Sequence, residues 1–166
     1  MYTFEEWKKN LIIVRGGGDI ATGTIYKLYQ SRFPVLVLEI ANPSCIRRTI
    51  SFCEAIFDKE VEVEGVKARC AGSLEEAFLI YEEGKIPVMI DEQGEVIQEL
   101  CPPVVVDAIL AKKNLGTKIT DAPVVIGVGP GFCAGKDVDA VVETQRGHNL
   151  GRVIYEGEAA PNTGVP

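Results

Sequence analysis

Gly16, Gly18 and Ala21, spaced G-x-G-x-x-A after the apolar run Leu11 to Val14, are the residues of this 166-residue chain whose types and spacing most directly suggest chemistry. The run suits a strand buried on both faces, and glycine at the next positions permits backbone angles and close approaches that a Cβ would forbid. A helix opening at Asp19 would aim unpaired N–H groups and the positive end of its dipole at the same point, so an anion is stabilised without a cationic side chain. Ala21 takes the third place of the dinucleotide fingerprint, where a small residue lets helix and strand pack closely. Glu39 follows the next apolar run, Val35 to Leu38, about twenty residues beyond the glycines, where a dinucleotide-binding unit carries the acid that bonds a ribose hydroxyl. A nucleotide or another phosphate-bearing ligand is therefore expected here; the alternative is a glycine turn that serves only the strand-to-helix connection.

Other acids end apolar runs in the same way. Asp91 follows Ile86 to Ile90, and Asp107 follows Val104 to Val106. In an open parallel sheet the ligand crevice lies outside the carboxyl ends of the strands, so Glu39, Asp91 and Asp107 are expected to face one crevice, where ribose hydroxyls or a hard divalent cation would suit them. The competing reading makes each acid a helix cap or a solvated loop residue.

A second glycine loop, DAPVVIGVGPGFCAGK over 121–136, repeats the logic of strand followed by glycines at Gly129 and Gly131. It is not a Walker-type loop, because Pro130 stands where the first glycine is required and Asp137 where Ser or Thr must follow Lys136. Its backbone N–H groups are expected either to form an anion nest with Lys136 nearby or to make a structural turn. Cys133 lies inside this loop, where a positive neighbour and amide dipoles favour thiolate, and is the thiol singled out for chemistry. Downstream, ETQRGHNLGR over 143–152 holds the single histidine, His148, a candidate for proton transfer near neutral pH, with Arg146 and Arg152 able to grip phosphate or carboxylate. Cys133 and His148 are the two weak catalytic candidates. Spacing establishes no Ser/His/Asp or Cys/His pairing.

The elements that must position these residues follow from periodicity and punctuation. Asp19 to Gln30 reads as the crossover helix and Pro34 breaks the chain before the second strand. Ser44 caps an expected helix to about Phe57, with Ile46, Ile50, Cys53 and Ile56 or Phe57 on one face and Arg47 and Arg48 in its first turn. Glu60 to Ala71 alternates around Glu64-Gly65 as a hairpin, Ser73 and Glu76 form a capping box, and Gly84 closes that helix before the strand Ile86 to Ile90. The last third offers short β-rich runs at Val104 to Val106, Val124 to Val128, Ala140 to Val142 and Val153 to Tyr155, with few helix signals. The expected fold is α/β: one Rossmann-like domain over 1–166 with an open, mainly parallel sheet, βα units to about 110 and a β-rich part over about 111–166. The stretch Glu158 to Pro166 reads like a linker, and the native protein is expected to continue beyond it.

Composition narrows the class. Seventeen Lys and Arg against 24 Asp and Glu give a net charge of −7, which argues against nucleic acid or an anionic membrane surface as partner. No stretch approaches a membrane span and the amino terminus lacks an apolar leader, so a cytoplasmic location is expected. Five scattered cysteines, with no CxxC pair and no histidine at zinc spacing, are expected as reduced thiols without a metal site. The apolar β-rich segments suggest self-association.

Four segments, VRGGGDIATG (14–23), LEIANPSCIRRTISFCEAIF (38–57), VEVEGVKA (61–68) and 121–166, resemble in order and approximate spacing the selenium-dependent molybdenum hydroxylase system proteins of the YqeB family, relatives of xanthine dehydrogenase accessory factors. The resemblance implies an NAD-binding-like Rossmann fold and an accessory role in maturing molybdenum hydroxylases, where a sulfur or selenium ligand is installed on the metal. It implies a nucleotide or the molybdenum cofactor as ligand, and a hydroxylase or its cofactor-maturation proteins as partners. It places the family's motifs on Gly16, Gly17, Gly18, Asp19, Gly23, Glu39, Arg47, Arg48, Gly129, Gly131, Thr144, Arg146, Gly147 and His148, with no assigned nucleophile. Cys133 would be a soft donor for persulfide or selenide. An NAD-dependent oxidoreductase and a nucleotide-binding regulatory sensor are the alternatives.

Overall fold

A computed structural model describes residues 2–161. Residues 162–166 of the expected linker lie outside the described residues.

The central strand β1 (Ile12–Arg15) is buried along its whole length, as is β2 (Val35–Glu39) beside it. Both faces are covered because their side chains alternate between two cores. Ile12, Val14, Val35 and Val37 pack into one, Ile13, Leu36 and Leu38 into the other. The first core is roofed by helix α2 (Asp19–Gln30), through Ala21 and Ile25, and by the segment around Phe52 and Ile56. The second lies under helix α1 (Phe4–Asn10), whose Trp7 is fully buried, helix α4 (Leu74–Glu82) and helix α5 (Glu95–Leu100).

One sheet of nine strands results, in the order β10-β9-β7-β6-β1-β2-β5-β4-β3. Its further strands are β3 (Glu60–Val63), β4 (Val66–Ala71), β5 (Ile86–Ile90), β6 (Val104–Asp107), β7 (Val124–Val128), β9 (Ala140–Val142) and β10 (Val153–Ile154). From β4 to β9 every neighbour pair is parallel, while β3 and β10 close the two edges antiparallel. This is the Rossmann-like α/β sheet the sequence pattern predicts. A small second sheet pairs β8 (Cys133–Ala134) with β11 (Gly157–Glu158). The chain leaves β1 toward β2 but later returns to the other flank of β1 with β6, so the strand order reverses between β1 and β6. A crevice opens at the carboxyl ends of strands at such a point.

Two short helices are absent from the sequence reading. Thr3 and Glu6 form a reciprocal capping box that starts α1, and the Asp91 carboxylate accepts from the N–H groups of Gly94, Glu95 and Val96 to start α5. The helix predicted from Ser44 to Phe57 does not form. Two 3₁₀ turns, Arg48–Ile50 and Phe52–Glu54, precede a single α turn, α3 (Ala55–Asp58), and Ser51 between them is extended. The physical reason is competition for donors. The Phe52 N–H goes to Thr22 Oγ1 (3.0 Å) and the Cys53 N–H to the Gly17 carbonyl (2.9 Å), rather than to carbonyls four residues back.

Thr22 therefore joins α2 to this segment, since its hydroxyl also donates to the Gly17 carbonyl at 3.1 Å. Thr22→Val keeps the volume but leaves the Phe52 N–H unpaired in a buried place, and it should cost about 1–3 kcal/mol. Urea unfolding of both proteins measures this, and an unchanged midpoint would show that the link carries no stability.

Candidate functional site

The glycine corner is built on one backbone conformation and one close approach. Gly16 has φ +91°, and a Cβ there would stand 3.0 Å from the Ala108 carbonyl oxygen and from Ile109 Cα. Gly17 faces the Cys53 backbone, with room for no Cβ without displacement (3.1 Å to the Cys53 nitrogen). Gly18 differs, because a Cβ there meets nothing within 4 Å. It is the N-cap of α2, and no side chain caps that helix end, so its first-turn N–H groups lack a side-chain acceptor. Ala21, fully buried, allows the close helix packing expected of the third fingerprint position.

Above this corner lies a cavity of about 420 Å³. Gly16, Gly18, Glu39 and Asp91 line it from the ends of β1, β2 and β5, with Pro43 and Ser44 on one side and Ile109 and Leu115 on the other. The volume falls in the range of small-molecule sites, roughly 300–1,000 Å³. Arg15, the last residue of β1, also lines it and is only 5% exposed. Its guanidinium donates to Thr117 Oγ1 (2.6 Å) and to the Glu92 carbonyl (3.3 Å) and stands 3.6 Å from Asp107 Oδ2. Thr117 in turn donates to the same Asp107 oxygen at 2.5 Å, and Asn114 holds the Thr117 turn through its N–H and carbonyl. Arg15 was missed in the sequence. The available signal was a charged residue closing a strand otherwise apolar throughout, a place that requires a buried partner.

Of the three strand-end acids, Glu39 and Asp91 line this crevice while Asp107 is buried outside its lining, and each is engaged by the protein. Glu39 accepts from the Gly17 N–H at 2.6 Å and from its own neighbour Ile40 at 2.9 Å. Asp91 caps α5, and Asp107 holds Arg15, Thr117 and the Ile109 N–H. They do not form the hard-cation cage considered for them. Burial pushes the Glu39 carboxyl above the ordinary carboxylate range, against the two N–H donors that pull it down.

The remaining predicted residues lie elsewhere. Asp19 is in the first turn of α2 and pairs with the exposed Arg47 at 3.5 Å, while Arg48 reaches Glu54 at 3.7 Å. Neither arginine lines the cavity. Gly23 sits on the exposed side of α2. Gly129 and Gly131 also lie outside the cavity lining and serve packing. A Cβ on Gly129 would meet Leu110 and Thr144 Oγ1, and one on Gly131 would meet the Lys113 backbone at 2.7 Å. The anion nest expected around Lys136 is not there. The N–H groups of Lys136 and Asp137 bond the Cys133 carbonyl, that of Gly135 bonds the Val138 carbonyl, and that of Cys133 bonds the Asp137 carboxylate. Local turn closure has taken the donors that an anion would need. Arg146, Gly147, His148 and Arg152 are exposed on the turn before β10, and none lines the cavity. Glu143 anchors this turn: burial raises its carboxyl, but N–H groups of Ala160, Gln145 and Thr144 outweigh that and hold it below the usual range.

The irregular segment after β2 brings together what the spacing kept apart. Cys45, Cys53 and Glu54 present their sulfur and oxygen atoms within 4.8 Å of one another, the one group among the described residues with metal-ligand proximity. The Cys45 thiol donates to Glu54 Oε1 at 3.4 Å. Burial, with Cys45, Glu39 and Glu54 nearby, pushes the Cys53 thiol far up. Cys133, by contrast, has only a long contact to its neighbour's carbonyl.

Comparison with known proteins agrees with the motif reading in part. The chain is 55% identical over 156 residues to an Escherichia coli (strain K12) protein described as "Uncharacterized protein YqeB". The match covers 94% of this chain and 29% of that protein, so the chain spans less than a third of the length of the curated relative it matches. No family model and no solved structure matches the chain. Among the described residues no helix is long and apolar enough to cross a membrane.

Glu39 gives the site a pH signature. A carboxyl whose folded value is raised contributes its stability at low pH and loses it as the pH climbs from about 4.3, the ordinary Glu value, through the higher folded value. Glu39→Gln removes that titration. Unfolding free energies of the two proteins at about pH 4 and about pH 7 should shift in favour of the variant at the higher pH, and a gap that does not change with pH would show that the buried charge is fully compensated.

Proposed function

We propose that this chain is the nucleotide-cofactor-binding part of an accessory protein that matures selenium-dependent molybdenum hydroxylases, taking up a nucleotide or the nucleotide-bearing molybdenum cofactor while a sulfur or selenium ligand is installed. The observation that carries this reading is the cavity at the strand-order reversal, with the uncapped end of α2 and the open face of Gly18 on its wall. Ribose-phosphate chemistry fits these residues. First-turn amides of α2 suit phosphate oxygens, and the free lone pairs of the Glu39 carboxylate suit ribose hydroxyls. The same carboxylate repels a 2′-phosphate, which makes NADP the least suited nucleotide. Arg15 contributes little net attraction because Asp107 balances it. The molybdenum-specific part of the proposal, with a hydroxylase or its maturation proteins as partners, rests on the four motif segments.

Gly18→Asp tests the site without disturbing the fold. Aspartate is a good N-cap, and nothing occupies the space its Cβ would enter, so thermal stability should hold or rise. Its negative charge would stand where phosphate binds, and affinity for NAD, CTP or isolated molybdenum cofactor should fall at least about tenfold in calorimetric titration, which is about 1.4 kcal/mol. Equal binding by both proteins, or none by the parent, would overturn the reading.

A further inference from the structure

We infer that Cys45, Cys53 and Glu54 form a binding site for a thiophilic divalent cation of the zinc class. The inference stands on geometry separate from the nucleotide cavity's lining. Ligand atoms on one tetrahedral zinc ion lie about 3.6–3.8 Å apart, given metal–sulfur bonds of about 2.3 Å and metal–oxygen bonds of about 2.0–2.2 Å. Cys45 Sγ and Glu54 Oε1 are already 3.4 Å apart, and the three donor atoms share a space 4.8 Å across.

Two of the donors are held by the fold before any ion arrives. The backbone N–H of Cys53 is fixed on the Gly17 carbonyl and that of Phe52 on Thr22 Oγ1, which sets the 3₁₀ turn carrying Cys53 and Glu54. The exposed Arg48 stands 3.7 Å from the same Glu54 oxygen, a long ion pair outside the donor set. Cys45, only half-buried, comes from the loop after Pro43 and completes the set from outside, giving an ion a route in. Two sulfurs and one carboxylate suit a soft or borderline cation and do not suit magnesium or calcium. Three protein ligands leave one position of a tetrahedral ion for water or another donor. On binding, both thiols lose their protons to solvent as the two metal–sulfur bonds form, so no oxidant or reductant is involved.

Cobalt titration of the reduced protein, without nucleotide, reads the site directly. One equivalent of Co²⁺ should give a thiolate-to-metal charge-transfer band that one equivalent of Zn²⁺ abolishes, and Zn²⁺ binding should release protons and raise the melting temperature. Cys45→Ala, on the outer loop, should lose the band while keeping its fold, Glu54→Gln should weaken binding at least about tenfold, and Cys101→Ser, at an exposed cysteine, should bind as the parent does. Cys53→Ser adds the same loss if it folds. Absence of the band in the parent, or a band that survives in Cys45→Ala, would overturn the inference, as would binding that needs added nucleotide. None of these outcomes depends on the cavity holding a nucleotide.

Discussion

Three elements meet on the backbone of Gly17. Its N–H donates to the carboxylate that ends β2, and its carbonyl accepts both the Thr22 hydroxyl of α2 and the N–H of Cys53. A side chain there would push its neighbours aside, because a Cβ would stand 3.1 Å from the Cys53 nitrogen and 3.2 Å from Val37. The glycine is favoured by close approach of another backbone. That one residue holds Glu39 at the cavity wall and sets the entry of α2 and the path of the irregular segment after β2, so the cavity and the Cys45–Cys53–Glu54 group share a foundation.

Electrostatics divide the corner into two parts. At the end of α2 the N–H groups have no side-chain acceptor, which leaves a local positive end. Around it the charges are largely balanced: Arg15 against Asp107, Asp19 against Arg47, and Asp91 against the N–H groups of α5. Glu39 also meets amide donors alone, but it is buried, and burial raises its carboxyl. An anion is therefore favoured only over the first turn of α2, and hydroxyl donors are favoured beside Glu39.

The thiols that the fold brings together are not the one the local sequence favours. Glycines and Lys136 surround Cys133 in the sequence, yet the amides there close their own turn. Cys45 and Cys53 are eight residues apart, with no recognisable ligand spacing, and Cys53 falls on the apolar face of the expected helix. In the predicted helix, eight residues at 1.5 Å rise would have held them about 12 Å apart. The extended backbone at Ser51 and the two 3₁₀ turns fold the segment back and bring the sulfurs to one place.

Local pattern alone determined the strands and their central position. Short apolar runs bounded by glycine and proline read as strands buried on both faces, the glycines after Val14 read as a turn into a helix, and strict alternation reads as a hairpin, so β1, α2, β2, the hairpin and the cavity's glycine wall were legible. The acids at the strand ends were legible as neighbours of a crevice for the same reason. Tertiary structure alone decided what each donor and acceptor met. Glu39 faces the Gly17 amide, Arg15 faces Asp107 across 92 residues of chain, and Phe52 and Cys53 give their N–H groups to α2 and its approach instead of to a helix. Periodicity reports which side of an element is apolar, because burial acts on every residue of a face. A hydrogen bond joins two particular atoms, and which two come within reach is set by how the elements pack.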